Sequence, residues 1–191
     1  MGRSQVVLRE AVRGDAPFLA ELWASSLRRP EVERRLSDVH TILDHALSSP
    51  AQQVLIAEYD DIAAGAVLLE VGTVSSLNLE PTVRVLSPSV APSLQRRGVG
   101  KALMDAALAF AEEQGIATLA TAVGSGARES NRFMARLALS PMATYRVAPV
   151  AAVRARLRGQ RPGALRSVTG GRQTTRVVAA RRSMRRSRAT G

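Results

Sequence analysis

Apolar and polar positions along this chain change period several times, and each change marks an element. Gln5 to Ala11 alternates weakly and predicts a first strand. From Ala16 to about Leu27, Phe18, Leu19, Leu22 and Trp23 form one apolar face behind Asp15, a residue suited to capping a helix start. Val32, Leu36, Val39 and Leu43 recur at the same spacing and predict a second helix from Glu31 to Leu47. Gln53 to Tyr59 and Ile62 to Val74 read as strands, and the polar Asp60-Asp61 pair between them predicts a hairpin. A fourth strand is expected from Thr82 to Val90, just after Pro81. Beyond it Val99, Leu103, Ala106, Ala107 and Phe110 share one stripe of a helix that runs to about Gln114. Lys101 and Asp105 sit four apart on its other side, and Gly115 is placed for a left-handed cap. Ile116 to Val123 then reads as a buried strand.

Charge divides the chain. The formal net charge is +11, yet residues 1–158 carry 18 basic and 16 acidic side chains. Residues 159–191 carry nine arginines and no acid, and Pro162, Gly163, Gly170 and Gly171 appear there together. The expected organisation is a nearly neutral domain over 1–158 and a basic, disordered tail over 159–191. The tail's partner, if any, is a polyanion held by weak, salt-dependent contact. A domain of about 150 residues can bury roughly 70% of its unfolded surface, enough for an independent core.

Absences narrow the classes. With no cysteine, disulfides, thiol nucleophiles and cysteine metal sites are excluded. No apolar run approaches the ~20 residues of a membrane span, and the N-terminus has no signal-peptide core, so a cytoplasmic location is expected. His40 and His45 are five apart rather than four and lack a third ligand, so no metal is expected. Trp23, the only tryptophan, lies on an apolar face and is read as core, with contact to an acceptor as the alternative.

The chemistry concentrates in Gln95-Arg96-Arg97-Gly98-Val99-Gly100. A strand feeds a loop with two glycines and two arginines, which opens a helix. Such a junction grips a diphosphate: free N–H groups and the macrodipole face outward, glycine admits close approach, and arginine adds charge-assisted hydrogen bonds. A nucleoside triphosphate loop would need glycine at Gln95 and Ser or Thr at Ala102. The dinucleotide fingerprint would need glycine at Leu103. Neither fits.

The segment resembles motif A of the GNAT family of N-acetyltransferases, Q/R-x-x-G-x-G/A, at all four defined positions. The flanks resemble it too: Val90-Ala91-Pro92-Ser93-Leu94 leads from a splayed strand into the loop. Glu129-Ser130-Asn131-Arg132-Phe133 through Leu137-Ala138-Leu139 is similar to the family's last core helix, and Met142 to Val147 to the strand after it. The resemblance covers roughly residues 4–158. With those two elements the order becomes β-α-α-β-β-β-α-β-α-β, an α+β pattern. It implies the GNAT fold: a mixed, mostly antiparallel, splayed central sheet flanked by helices.

The resemblance also implies a function. Acetyl-CoA is the expected co-substrate, its pyrophosphate held by Gln95, Arg96, Arg97, Gly98, Val99, Gly100 and Lys101 and its pantetheine arm by Val90 and Asn131. An amine of the acceptor, a small molecule or a peptide, attacks the thioester directly in a ternary complex, and the Val90 backbone contacts the oxyanion. The tyrosine that protonates the thiolate in many relatives is replaced by Met134, and the glycine four residues on by Ala138. Ser130 and Tyr145 are weak substitutes. No carboxylate lies between Thr82 and Val90, so Glu70 and Glu80 are the base candidates, each with a salt-bridged or solvated alternative, and a water chain could serve instead. Asn131 has an alternative as a helix cap. The Arg28-Arg29-Pro30-Glu31 turn is expected beside the acceptor. The missing tyrosine leaves a second reading open, an acyl-CoA-binding sensor without turnover. Either a monomer or a homodimer is compatible.

Overall fold

The computed structural model describes residues 5–124 and 126–159. These fall into two compact units that divide between Ser140 and Pro141. The basic tail lies outside the described residues.

The first unit is built on a five-stranded sheet in sequence order: β1 (Val6–Glu10), β2 (Gln52–Tyr59), β3 (Ile62–Thr73), β4 (Pro81–Val90) and β5 (Leu119–Thr121). The first three pairings are antiparallel and β4–β5 is parallel. The Asp60-Asp61 hairpin is present. Both residues have positive φ, 50° and 61°, the geometry that matches a two-residue loop to strand twist.

Both faces of the sheet are covered. On one lies α4 (Val99–Glu113), whose Val99, Leu103, Met104, Ala107, Phe110 and Ala111 are buried against Val67, Leu69, Val83 and Val85. The other receives α1 (Ala16–Leu22) and α3 (Val32–Ser48), with Leu19, Val39 and Leu43 fully buried against Ile56 and Ala66. The helix expected over Ala16 to Leu27 is interrupted at Trp23, and Ala24–Leu27 forms a separate turn, α2. Asp15 does not cap α1. Its carboxylate takes two hydrogen bonds from the Arg9 guanidinium, at 2.7 and 2.8 Å, and one from the Val12 N–H.

Helix α4 ends in a Schellman closure. Gly115, at φ 65°, donates to Glu112 O, and Ile116 donates to Ala111 O. Helix α5 (Arg128–Arg136) ends identically, with Ala138 in the left-handed position at φ 62° and Leu139 donating to Met134 O. A non-glycine residue there carries a steric cost.

Two strand expectations are corrected. The strand expected over Ile116 to Val123 is confined to Leu119–Thr121. The strand expected over Met142 to Val147 is absent: that segment of the second unit has no regular structure, and its Met142, Tyr145 and Val147 are exposed. The second unit instead contains a helix not anticipated, α6 (Val150–Gly159).

Candidate functional site

The short β5 creates the site. It pairs with β4 only over Val83, Arg84 and Val85, so from Leu86 to Val90 the outer edge of β4 has no strand partner among the described residues. An unpaired edge presents a row of N–H and C=O groups to anything extended that lies beside it.

Which groups face the opening is set by a bulge. Leu68 stands opposite Leu86, but Ala66 stands opposite Ser89, so β4 carries one extra residue at Ser87-Pro88. Ser87 is left-handed, φ 46°, and Pro88 has no N–H to give the ladder. Before the bulge, Val83 donates to Thr118 O and Val85 accepts from Thr121 Oγ1, so odd-numbered residues face β5. After it, Ala91 donates to Ala64 O, so odd-numbered residues face β3. The bulge inverts the phase. Val90 directs its N–H into the opening, where an unbroken strand would have turned it toward β3.

From Val90 the chain passes Pro92–Leu94, a single 3-10 turn, and an extended Gln95 into the loop. Arg96 and Gly98 both have positive φ, 61° and 87°. Gly98 is the N-cap of α4, and no side chain caps that terminus. The first helical bond is Ala102 N–H to Gly98 O, so the four N–H groups before it have no intrahelical acceptor. A Cβ on Gly98 would meet no atom within 4 Å, so the glycine borders open space. Gly100 differs: its Cβ would make ordinary contacts of 3.8 Å with Phe133 and Val90. Protein atoms therefore do not demand glycine there.

Three cations surround this terminus. Arg97 lies over the Tyr59 ring, 5.6 Å from its centre, which orients the guanidinium. Arg96 stands 3.6 Å from Glu129 at a strongly exposed position, too loose and wet to fix either side chain. Lys101 pairs with Asp105 at 2.6 Å, the expected surface pair. The structure thus gathers Val90, Gln95, Arg96, Arg97, Gly98, Val99, Gly100 and Lys101 along one continuous segment. Chemically, it offers anion-binding donors at one end and an exposed strand edge at the other.

The remaining expected residues divide. Asn131 donates to Gly124 O at 3.0 Å and Ala127 O at 2.9 Å, so its amide ties down the connection after β5. Met134 is buried in the core beneath α4. Glu70 faces Arg84 across the β3–β4 ladder and pairs with it at 3.2 Å. That position is roughly 17 Å along the strand from Val90, at about 3.3 Å per residue. Glu80 accepts from Thr118 Oγ1 at 2.8 Å. It precedes β4 and lies at the far end of that strand, roughly 30 Å from Val90. The structure does not bring Glu80 and Val90 together. Among the described residues no group of three His, Cys, Asp or Glu is placed to hold a metal, and no helix is long and apolar enough to cross a membrane. The Arg28–Glu31 turn is held from below, with Arg35 donating to Arg29 O and Pro30 O.

The bulge and the Tyr59 support are not anticipated from the sequence. A proline inside a strand pattern, Pro88, was the available signal for the first. Nothing local signals the second, because Tyr59 and Arg97 meet only through the fold.

The acetyltransferase (GNAT) family profile matches residues 17–138, more than half of the chain. The chain belongs to the GNAT family. Solved GNAT structures share its architecture. The aminoglycoside N-acetyltransferase AAC(6')-Iy in complex with CoA is 19% identical, with 78% of this chain and 96% of that one covered at a TM-score of 0.61. A predicted acetyltransferase with acetyl-CoA from Clostridium acetobutylicum is 11% identical, with coverage of 78% and 98% and a TM-score of 0.59. Glucosamine-6-phosphate N-acetyltransferase from Arabidopsis thaliana is 10% identical, with coverage of 76% and 99% and a TM-score of 0.58. At such identities the likeness establishes the fold alone. Among curated proteins, no sequence matches this one. The GNAT sheet is mixed, mostly antiparallel and flanked by helices, as the motif and its flanks implied.

Proposed function

We propose that this GNAT protein transfers an acetyl group from acetyl-CoA to an acceptor amine by direct attack in a ternary complex. One observation carries the reading: the phase-inverting bulge aims the Val90 N–H into the β4 opening, on the same segment that reaches the uncapped α4 N-terminus. A ligand with an extended amide arm between a diphosphate and a reacting carbonyl fits that order of donors. Solved relatives with CoA and acetyl-CoA support it.

The residues fit the co-substrate. Gly98 borders open space, so a phosphate can approach the backbone there. The N–H groups at Gly98 to Lys101, with Arg96 and Arg97, supply charge-assisted donors. Asn131 keeps the far side of the opening in place through its bonds to Gly124 and Ala127. When bound, acetyl-CoA supplies the thioester carbonyl. Val90 N–H would then stabilise that oxygen as the amine nitrogen attacks the carbon, and collapse of the tetrahedral adduct would break the carbon–sulfur bond, releasing CoA as its thiolate and the amine proton to water. Holding both reactants at one edge supplies much of the acceleration.

Proton transfer belongs to water. Glu80 is too remote from Val90 to take part directly, and Glu70 is paired with Arg84. Glu70 reaches an amine at Val90 only through a relay of waters. Acceptor choice lies with the wall made by the Arg28–Glu31 turn, and an amine on a small molecule or a peptide is the proposed class. Residues 159–191 are proposed as a separate basic tail with affinity for polyanions. Burial of Met134 where relatives carry tyrosine favours a second reading, an acyl-CoA sensor without turnover. Acetyl-CoA consumption measured across a broad panel of amines decides between them: turnover with any amine supports the enzyme, and tight binding with none supports the sensor.

A further inference from the structure

The bulge that aims Val90 has a support outside the sheet. Ser87 is a left-handed non-glycine residue followed by a proline, a strained arrangement that persists only where its surroundings dictate it. Ser87 has no partner in the β3–β4 register, and its carbonyl accepts from the Trp23 indole N–H at 2.9 Å, across 64 residues of sequence. Trp23 is only 2% exposed, packed in the cluster that contains Leu19, Val39, Leu43, Ile56 and Ala66. Its backbone is fixed as well, since its N–H bonds Leu19 O and its carbonyl accepts from Ser26 and Leu27 at the α1–α2 junction. A rigid donor therefore meets the one carbonyl that a regular strand would not present there.

We infer that Trp23 is a positioning residue for acetyl transfer, which locks the Ser87-Pro88 bulge and thereby keeps the Val90 N–H in the β4 opening. The inference rests on the acetyl-CoA reading above and adds to it the group that sets the donor's direction. Removing the indole N–H leaves Ser87 O without its buried partner. Without that donor the left-handed Ser87 loses the contact that holds its carbonyl outward, and the strand relaxes by shedding the bulge. Loss of one bulge residue slips the register by one, which turns Val90 N–H toward β3 and Ser89 N–H toward the opening. Arg97 over Tyr59 and the α4 terminus seated on the sheet lie beyond the slip and keep those supports, so co-substrate binding is affected less than polarisation of the carbonyl.

Because the chain has a single tryptophan, biosynthetic replacement by benzothienylalanine exchanges the N–H for sulfur at this position alone and preserves the ring. The readout is the infrared carbonyl stretch of [1-13C]acetyl-CoA bound to the full chain, alongside calorimetric affinity. In the unmodified protein the stretch falls below that of free acetyl-CoA. In the replaced protein it returns toward the free value while affinity changes by less than about threefold. Turnover, measured with any amine that the panel yields, falls by about tenfold or more, with KM for acetyl-CoA little changed, a smaller loss than outright deletion of an oxyanion donor. Trp23→Phe reproduces the pattern, with melting temperature as the check on folding. A stretch identical in the unmodified and replaced proteins, with binding intact, overturns the role of Trp23 and leaves the function standing. Failure of the unmodified protein to bind acetyl-CoA overturns the functional reading and this inference with it.

Discussion

Gly65 stands directly opposite Val90 in the β3–β4 ladder, and a Cβ on it would lie 2.7 Å from Ser89 O and 2.9 Å from Val99 Cγ1. The missing side chain lets the first turn of α4 settle onto the sheet beside the end of β4. Gly65→Ala therefore pushes against backbone, which cannot rotate away. The expected cost is about 1–3 kcal/mol of stability, or about 2–4 °C of melting temperature per kcal/mol for a chain of this size. Acetyl-CoA affinity falls as well, because the Cβ strikes Val99 and pushes the first turn of α4, with its free N–H groups, off its seat. Thermal melts and calorimetry check both, and an unshifted affinity would separate the helix seat from the binding site.

Gly100 makes the complementary case. Since its Cβ would make only ordinary contacts, Gly100→Ala should leave the melting temperature within about 2 °C of the parent. Acetyl-CoA affinity should still drop by about tenfold, because the added methyl stands where phosphate meets the backbone. Unchanged affinity would mean that the phosphate does not approach this residue.

Ala138 occupies a left-handed helix terminus at φ 62°. Ala138→Gly removes the steric cost at a position already closed by Schellman bonds, and should stabilise the protein by about 1 kcal/mol. A raised melting temperature with unchanged turnover is the expected pair of results. A lowered one would show that the alanine methyl packs usefully.

The acid limb of stability should depend on Asp15. Hydrogen bonds from Arg9 hold its carboxyl below the usual carboxylate range, with the Val12 N–H adding to the effect and burial opposing it. A depressed folded value contributes stability that is fully present above the unfolded pKa of about 3.9 and is lost as pH falls through the folded value. Asp15→Asn should therefore lower the melting temperature by a few degrees at neutral pH, and the difference should shrink below about pH 4. A difference constant with pH would rule out the ion pair as its source.

Proton transfer by water predicts a pH profile without an enzyme base. The rate should rise with pH until the acceptor amine reaches its own pKa. Glu70→Gln and Glu80→Gln should each change turnover by less than about threefold, against about 10²-fold for loss of a true general base. A larger loss in Glu70→Gln would assign it the proton relay.

Most of the core was legible in the sequence because buried faces repeat at fixed periods: Val99, Leu103, Ala107 and Phe110 on α4, Val39 and Leu43 on α3, Leu19 on α1. The loop from Gln95 to Lys101 was legible because its chemistry is contiguous. What could not be read depends on partners distant in sequence. Asp15 looked like a cap, but Arg9 claims its carboxylate. Met142 to Val147 is expected as a strand only from the family resemblance, and a resemblance supplies no neighbour to pair with. Trp23 was rightly read as core, while its bond to Ser87 arises only when α1 meets the bulge. Glu70 and Glu80 are near β4 in topology, but distance along the strand separates both from Val90.

The most direct test of the central claim is calorimetric titration of acetyl-CoA into the parent protein and into Gly98→Glu. The parent should bind in the ~1 µM to ~1 mM range that enzymes commonly show for their substrates. The variant should stay folded, since that side chain enters open space, with a modest loss of stability from the left-handed φ of 87°. Its carboxylate should block the phosphate and abolish binding. A folded variant that binds acetyl-CoA as tightly as the parent would contradict the assignment of the α4 N-terminus as the co-substrate site.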